Sequence, residues 1–392
     1  MKRKGFLLIL MLLLTLTCTA LAEPLVRAGG SFGIAVDAQG GVWGWGDNAN
    51  GQLGNGNNKR VYLPKAAAVG LDGTQIVDVQ CGNVNTLFLM QDGTVYTCGY
   101  NNYGQQGLPE GGSHIFTPTQ IPGLENIAQI ACGFGQCLAR TADGEVYAWG
   151  RNNCGQLGIG TTYNAKEPVL LELENIVDIQ CGGKFSMAMD AEGNIWGWGD
   201  NESGQLLDTG KKKKVTAPLK LEVSGRFTQI ACGGSTALGL DQAGKLWSWG
   251  KNDYGQMGTD EVGAYCATPT AVKLPEGLHI EQLHAYNSHS AVVTAEGEVY
   301  QWGRTYSGQL GNGKRPTKSL PVLACPEDQP VVEAATGSSC TYVLLADGSV
   351  RTSGYSAVGQ TGAFPTKQGY IAHWVFTGLN LFTGEWAEPK NR

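Results

Sequence analysis

Apolar and polar residues alternate in short runs along most of this chain, and no stretch sustains a helical period. Val77-Asp78-Val79-Gln80-Cys81 and Val177-Asp178-Ile179-Gln180-Cys181 put every second side chain on one face, which predicts half-buried strands. A short apolar run follows each, as in Leu87-Phe88-Leu89 or Met187-Ala188-Met189, and closes on a hairpin signal such as Asp92-Gly93, Asp143-Gly144 or Asp347-Gly348. In such turns Asp bonds its own backbone and Gly accepts positive φ, so these carboxylates are expected to shape turns and not to catalyse. A third run, Val95-Tyr96-Thr97-Cys98 or Ile195-Trp196-Gly197-Trp198, ends at a glycine. A fourth, such as Pro168-Val169-Leu170-Leu171-Glu172, comes after a glycine-rich turn.

This unit occurs seven times. A phrase of the form W-G-x-N-x-x-G-Q-L-G has its first glycine at Gly46, Gly99, Gly150, Gly199, Gly250, Gly303 and Gly354, at intervals of 53, 51, 49, 51, 53 and 51 residues. The second glycine, five residues on, is always followed by Gln, and 18 residues before the first sits Ala28, Cys81, Cys132, Cys181, Cys232, Ala285 or Thr336. Four strands in each of seven such units predict an all-β, seven-bladed β-propeller with four-stranded blades. A propeller must remove its free edge, so the ring is expected to close by pairing of the two termini, with one blade drawing strands from both. Residues 25–28 read as a first strand, 370–375 as a late one, and Gly378-Leu379-Asn380 echoes the link Gly123-Leu124-Glu125-Asn126.

The first 22 residues stand apart from this pattern. Lys2, Arg3 and Lys4 precede an apolar stretch from Phe6 to Leu16 and an Ala20-Leu21-Ala22 site, the order of an export signal cleaved after Ala22. A lipid anchor on Cys18 is disfavoured by Thr15 and Thr17 before it. The expected mature chain is one domain, residues 23–392, secreted or held at the cell surface, without an integral membrane segment. Cleavage takes the formal charge from −6 to about −9. A net acidic chain lacks the clustered Lys and Arg that phosphate backbones require, which argues against nucleic acid as a partner.

The W-G-x-N-x-x-G-Q-L-G phrase after D-G-x-V-Y/W resembles the regulator of chromosome condensation repeat family of seven-bladed propellers, over almost all of residues 25–385. The family's His after the Cys-Gly pair survives only at His289, Leu207 replaces the last glycine of repeat four, and Ser353 replaces the Trp of repeat seven. The resemblance implies a binding protein, and guanine-nucleotide exchange, the namesake activity, is the alternative. A propeller enzyme such as a polysaccharide lyase or glycosidase is the second alternative, but no convergent carboxylate pair is apparent. Neither His289 nor His114, His279, His284 or His373 sits in a recognised catalytic motif. No cofactor or metal site is implied. Cys81, Cys132, Cys181 and Cys232 read as small fillers near the axis, while Cys132 with Cys137 and Cys266 with Cys325 are the pairs open to disulfide formation.

A position set by the fold should look alike in every repeat, so the variable residues point to the partner-binding face. After the small residue of each first strand come Phe32, Asn83, Asn85, Phe134, Lys184, Phe185, Tyr286 and Asn287; before each Gly-Gln come Asn50, Tyr103, Asp253, Tyr254 and Tyr306. Both connections emerge on one face of a propeller, and Tyr, Phe and Asn supply contact area and adaptable hydrogen bonds. The expectation is a monomeric, non-catalytic scaffold that holds a protein or a cell-wall or surface polymer there. Lys211 to Lys214 are expected on the opposite face, as solvated loop or as a patch for an acidic polymer.

Overall fold

The computed structural model describes residues 22–207, 212–260, 263, 265–316, 319–325 and 329–389, so the expected export signal, apart from Ala22, and Lys211 lie outside the described residues. Seven antiparallel sheets of consecutive strands span 25–66, 76–120, 127–170, 176–220, 227–271, 280–323 and 331–386, blades 1 to 7. Each first strand touches the first strands of both neighbouring blades, so seven of them surround the axis and the ring is closed. Along these strands Val79, Ile130, Ile179 and Ile230 are buried between blades. The alternate positions, among them Arg27, Gln80, Gln180 and His284, face an axial channel.

The conserved-looking phrase is a set of staples between and within blades. Trp149, Trp198, Trp249 and Trp302 are fully buried, and each Nε1 donates to the backbone carbonyl of the preceding blade's Gln105, Gln156, Gln205 or Gln256 at 2.9–3.2 Å. In blade 7 Ser353 keeps this bond, its Oγ donating to the Gln309 carbonyl at 2.8 Å. The glycine after the Trp marks a bulge between the third and fourth strands, as between Gly197 and Gly199. Gly199 has φ 106° there, and a Cβ would lie 2.6 Å from the Lys184 carbonyl oxygen. Leu207 keeps the left-handed turn that glycine makes elsewhere, with φ 63° and a buried side chain.

Two sequence expectations are corrected by this architecture. No blade mixes strands from the two termini: blade 1 uses residues 25–66 alone and blade 7 ends at Trp386. The first strand among the described residues is Leu25–Ala28, and every repeat supplies its own four strands. What the C-terminus provides is a link. In blades 3 and 4 the hairpin residues Ala142 and Ala191 donate their N–H to Asn126 and Asn175, the residues entering the blade. In blade 1 the hairpin residue Ala38 donates instead to the Leu381 carbonyl at 2.8 Å. Leu379 and Leu381 then pack with Val26 and Trp45, joining the ends. The outer edges are also protected. Fourth strands of blades 1 to 6 carry Pro64, Pro118, Pro168, Pro218, Pro269 and Pro321, whereas blade 7 has no such proline and is covered by the added strand Glu385–Trp386.

The second correction concerns strand starts. Second strands begin two residues earlier than the apolar runs suggest, at Phe32, Asn85 and Phe185. All three side chains are fully buried and belong to the framework, not to a partner-binding loop.

Candidate functional site

In blades 1 to 5 the connection between third and fourth strands is held by its Asn and Gln, and in blade 6 by Thr305 and Gln309, which leaves the residue between them free to vary. In blade 3, Asn152 Nδ2 donates to the carbonyls of Thr161 and Tyr163, while its Oδ1 accepts from Leu157 N at 2.9 Å. In blades 1, 2 and 5 the Gln52, Gln105 and Gln256 Oε1 atoms accept the backbone N–H of Asn50, Tyr103 and Tyr254 at 2.8–3.0 Å. The loop is thus fixed through the backbone of these residues, and their side chains are spared framework duty.

Two aromatic and cationic arrays stand on this face. Across blades 5, 6 and 7, the Arg304 guanidinium lies 5.1 Å from the Tyr254 ring centroid and 4.4 Å from that of Tyr306. Arg315 lies 3.4 Å from the Tyr370 centroid and donates from Nε to the Tyr306 carbonyl at 2.6 Å. Across blades 2 and 3, Arg151 lies 4.9 Å over Tyr103, which meets Tyr100 edge-on, and His114 and Phe116 extend the row. Among the described residues no carboxylate pairs with Arg151, Arg304 or Arg315. Arg304 also donates to the Tyr306 hydroxyl at 2.5 Å, and each guanidinium retains further N–H groups for a partner.

Of the expected site residues, Tyr103, Tyr254 and Tyr306 are therefore brought into arrays. Asn83, Lys184 and Asp253 are exposed, and Asn50 and Asn287 half-buried, on the same face; Asp253 is held by Lys251 at 2.9 Å. Phe134 and Tyr286 behave differently. They come from blades 3 and 6, on opposite sides of the ring, and touch with centroids 5.6 Å apart, so they meet over the axis. Arg151, Arg304, Arg315, Tyr100 and Tyr370 were not among the expected residues. Tyr100, Arg151 and Arg304 share one position, immediately after the Trp-Gly glycine or its equivalent, and comparison of the repeats at that position is the signal that finds them.

Lys212 to Lys214, the described part of the lysine run, belong to this face too, not to the opposite one. Lys214 opens the fourth strand of blade 4, so Lys212 and Lys213 lie in the preceding connection, and Lys214 Nζ donates to the Asn153 carbonyl of blade 3 at 3.1 Å. The connection runs well past its Gly-Gln turn before the strand begins, which the turn motif alone does not reveal. Formal charge is thereby segregated: Arg60, Arg151, Lys184, Lys212 to Lys214 and Arg304 share one face, while hairpins and links of the other carry Asp92, Asp143, Glu172, Glu174 and Glu192.

The described cysteines are all free; Cys132 Sγ lies 3.7 Å from Cys137 Sγ, whereas Cys266 and Cys325 contact other groups. Burial pushes the thiols of Cys81, Cys132, Cys181 and Cys232 well above the ordinary range, so they are neutral. Among the described residues no helix is long and apolar enough to cross a membrane.

An RCC1-like domain model matches residues 71–373, and regulator of chromosome condensation (RCC1) repeat models match 39–89 and 25–52. The chain belongs to the RCC1 family. It is similar to the ultraviolet-B receptor UVR8 of Arabidopsis thaliana, 31% identical over 86% of this chain and 78% of that protein. It is 30% identical to human E3 ubiquitin-protein ligase HERC2 over 80% of this chain, a match that spans only 6% of that protein. Among solved structures, human WBSCR16 superposes with TM-score 0.74 at 27% identity, covering 81% of this chain and 85% of that one. Prp20p of Saccharomyces cerevisiae, studied for its binding to Gsp1p and histones, superposes with TM-score 0.76 at 24% identity over 86% and 85% of the two chains, which shows a shared fold. In this RCC1-family ring the eight tryptophans of the repeats serve the framework: Trp45, Trp149, Trp198, Trp249 and Trp302 are fully buried, and Trp43, Trp196 and Trp247 donate to the hairpin carboxylates of Asp37, Asp190 and Asp241.

Proposed function

We propose that this RCC1-family propeller is an exported, non-catalytic scaffold that binds a protein or a cell-surface polymer on the face carrying the tyrosine and arginine arrays. The observation that supports it is the set of guanidiniums of Arg151, Arg304 and Arg315, laid on tyrosines and without an ion-pair partner among the described residues. Aromatic residues and arginine are the types that dominate interface energetics. Several RCC1-like relatives are binding or regulatory proteins, in keeping with a recognition role.

The test is capture of partners from secreted and cell-wall fractions, followed by replacement of Tyr103, Tyr254 and Tyr306 together with Ala. Each hot-spot tyrosine should contribute roughly 2 kcal/mol to binding, with little change in stability. Unchanged affinity of a captured partner would move the site off this face. Export predicts a mature chain starting at Glu23, and N-terminal sequencing of secreted protein checks it; a lipid-modified Cys18 would overturn it.

A further inference from the structure

The axial channel is closed at one end and chemically one-sided. Phe134 and Tyr286 meet across the axis on the face described above. Beneath them the cavity encloses about 320 Å³, lined by alanines and cysteines of the first strands and by Arg27, Gln80, Gln180, Gln282, His284 and Glu333. Arg27, Asp78 and Glu333 keep 19–25% of their side-chain surface accessible, so solvent reaches the channel from the opposite face.

Hydrogen bonding orients the polar groups so that acceptors are left over. Gln80 Nε2 donates to Asp78 at 2.9 Å and Gln180 Nε2 donates to Asp178 at 3.1 Å, which commits one N–H of each amide and leaves each carbonyl oxygen, with its two lone pairs, open as an acceptor. Gln282 Nε2 donates to the Val332 carbonyl at 2.8 Å, so its oxygen is the acceptor in the 3.1 Å contact with His284 Nε2. That bond places the proton on Nε2 and leaves Nδ1 a bare acceptor. Burial, with Arg27 nearby, holds His284 down to about 4, so the ring is neutral. The Tyr286 hydroxyl, buried against the same channel, has no partner.

Charge points the same way. The Arg27 guanidinium is already spent, bridging Asp78 at 2.9 Å and Glu333. Asp178 lies behind the lining, where it accepts from Gln129 at 2.7 Å and from Gln180, and burial raises its pKa, so the charge that faces the channel comes from Glu333 and the Arg27–Asp78 pair. Two carboxylates sharing one guanidinium leave the channel a net negative charge, and with its open acceptors it suits a ligand that brings N–H donors and positive charge.

We propose that the axial channel binds a protonated alkylamine, either a small free amine or a lysine side chain, entering from the face opposite the tyrosine and arginine arrays. The volume admits such a chain: it equals that of about ten waters at roughly 30 Å³ each. The ammonium is placed among the Gln80 and Gln180 oxygens, with Tyr286 Oη closing the far end.

Titration calorimetry with 1,4-diaminobutane and with N-acetyl-lysine methylamide tests the idea, with 1,4-butanediol as the neutral control. One amine bound per chain, with the diol silent, is the expected result, and the tighter of the two amines assigns the source. Replacing Gln80→Leu with Gln180→Leu should weaken binding on the order of tenfold or more, as expected for hydrogen bonds to a charged group. Tyr286→Phe keeps the ring contact with Phe134 and should weaken binding severalfold, which guards against loss of fold in the double variant. Absence of binding by both amines at roughly 10 mM overturns the proposal. So does equal binding of the diol, or unchanged affinity in both variants. The tyrosine triple variant leaves this site intact, so failure here and failure of the partner-binding face are separable.

Discussion

Asn152 shows how one side chain can release its neighbours from structural duty. It is fully buried and makes three bonds to its own loop, two as donor and one as acceptor. Asn152→Ala should cost about 2 to 3 kcal/mol, at roughly 1 for each lost bond, measured by urea unfolding. His289 carries a different signature. Burial lowers it from 6.5 to about 4 in the folded chain, where only Thr341 Oγ1 lies within hydrogen-bond distance of its ring. The unfolded chain therefore binds a proton first as pH falls. Stability is complete above about pH 6.5 and is lost progressively down to about pH 4, by up to about 3 kcal/mol for this residue. Urea midpoints at pH 7.5 and 5 should differ, and His289→Asn should reduce the difference; an unchanged dependence would contradict the assignment.

At the scale of elements, stability rests on bonds that cross from blade to blade. Trp249 fills the space between blades 4 and 5 and satisfies the Gln205 carbonyl, so Trp249→Phe removes a donor while keeping most of the volume. It should cost about 1 to 3 kcal/mol, the penalty of a buried unsatisfied acceptor, and Trp249→Ala about 3 to 5. Ser353→Ala should cost about 1 kcal/mol because it loses the same bond with little change in packing. Thermal or denaturant unfolding ranks the three. An equal cost for Ser353→Ala and Trp249→Ala would show that the bond, and not the volume, holds neighbouring blades.

At the scale of the molecule, closure makes the two ends one structural unit. Tyr370–Asn380 is the fourth strand of blade 7, and beyond it Leu381 holds the hairpin of blade 1. Truncation after Gly369 removes both, and the main unfolding transition of the whole ring should shift to lower denaturant. A main transition that stayed in place would mean that the blades unfold independently. The segregation of charge belongs to this scale as well. A net charge of −6 describes neither face of the ring.

The sequence by itself determined the number of blades, their strand order and the turn role of the hairpin carboxylates, because periodicity and turn chemistry are local and repeat seven times. It also pointed to Tyr103, Tyr254 and Tyr306 through variation between fixed glycines. Tertiary structure decided what local pattern leaves open. Phe32, Asn85 and Phe185 are buried because strand pairing extends beyond the apolar runs, where polar and glycine neighbours hide it. Only the closed ring brings Phe134 to Tyr286, Leu381 to Ala38, and Arg304 between tyrosines of different blades. These contacts join residues from separate repeats or from opposite ends of the chain, and their partners are chosen by the geometry of blades packed around an axis.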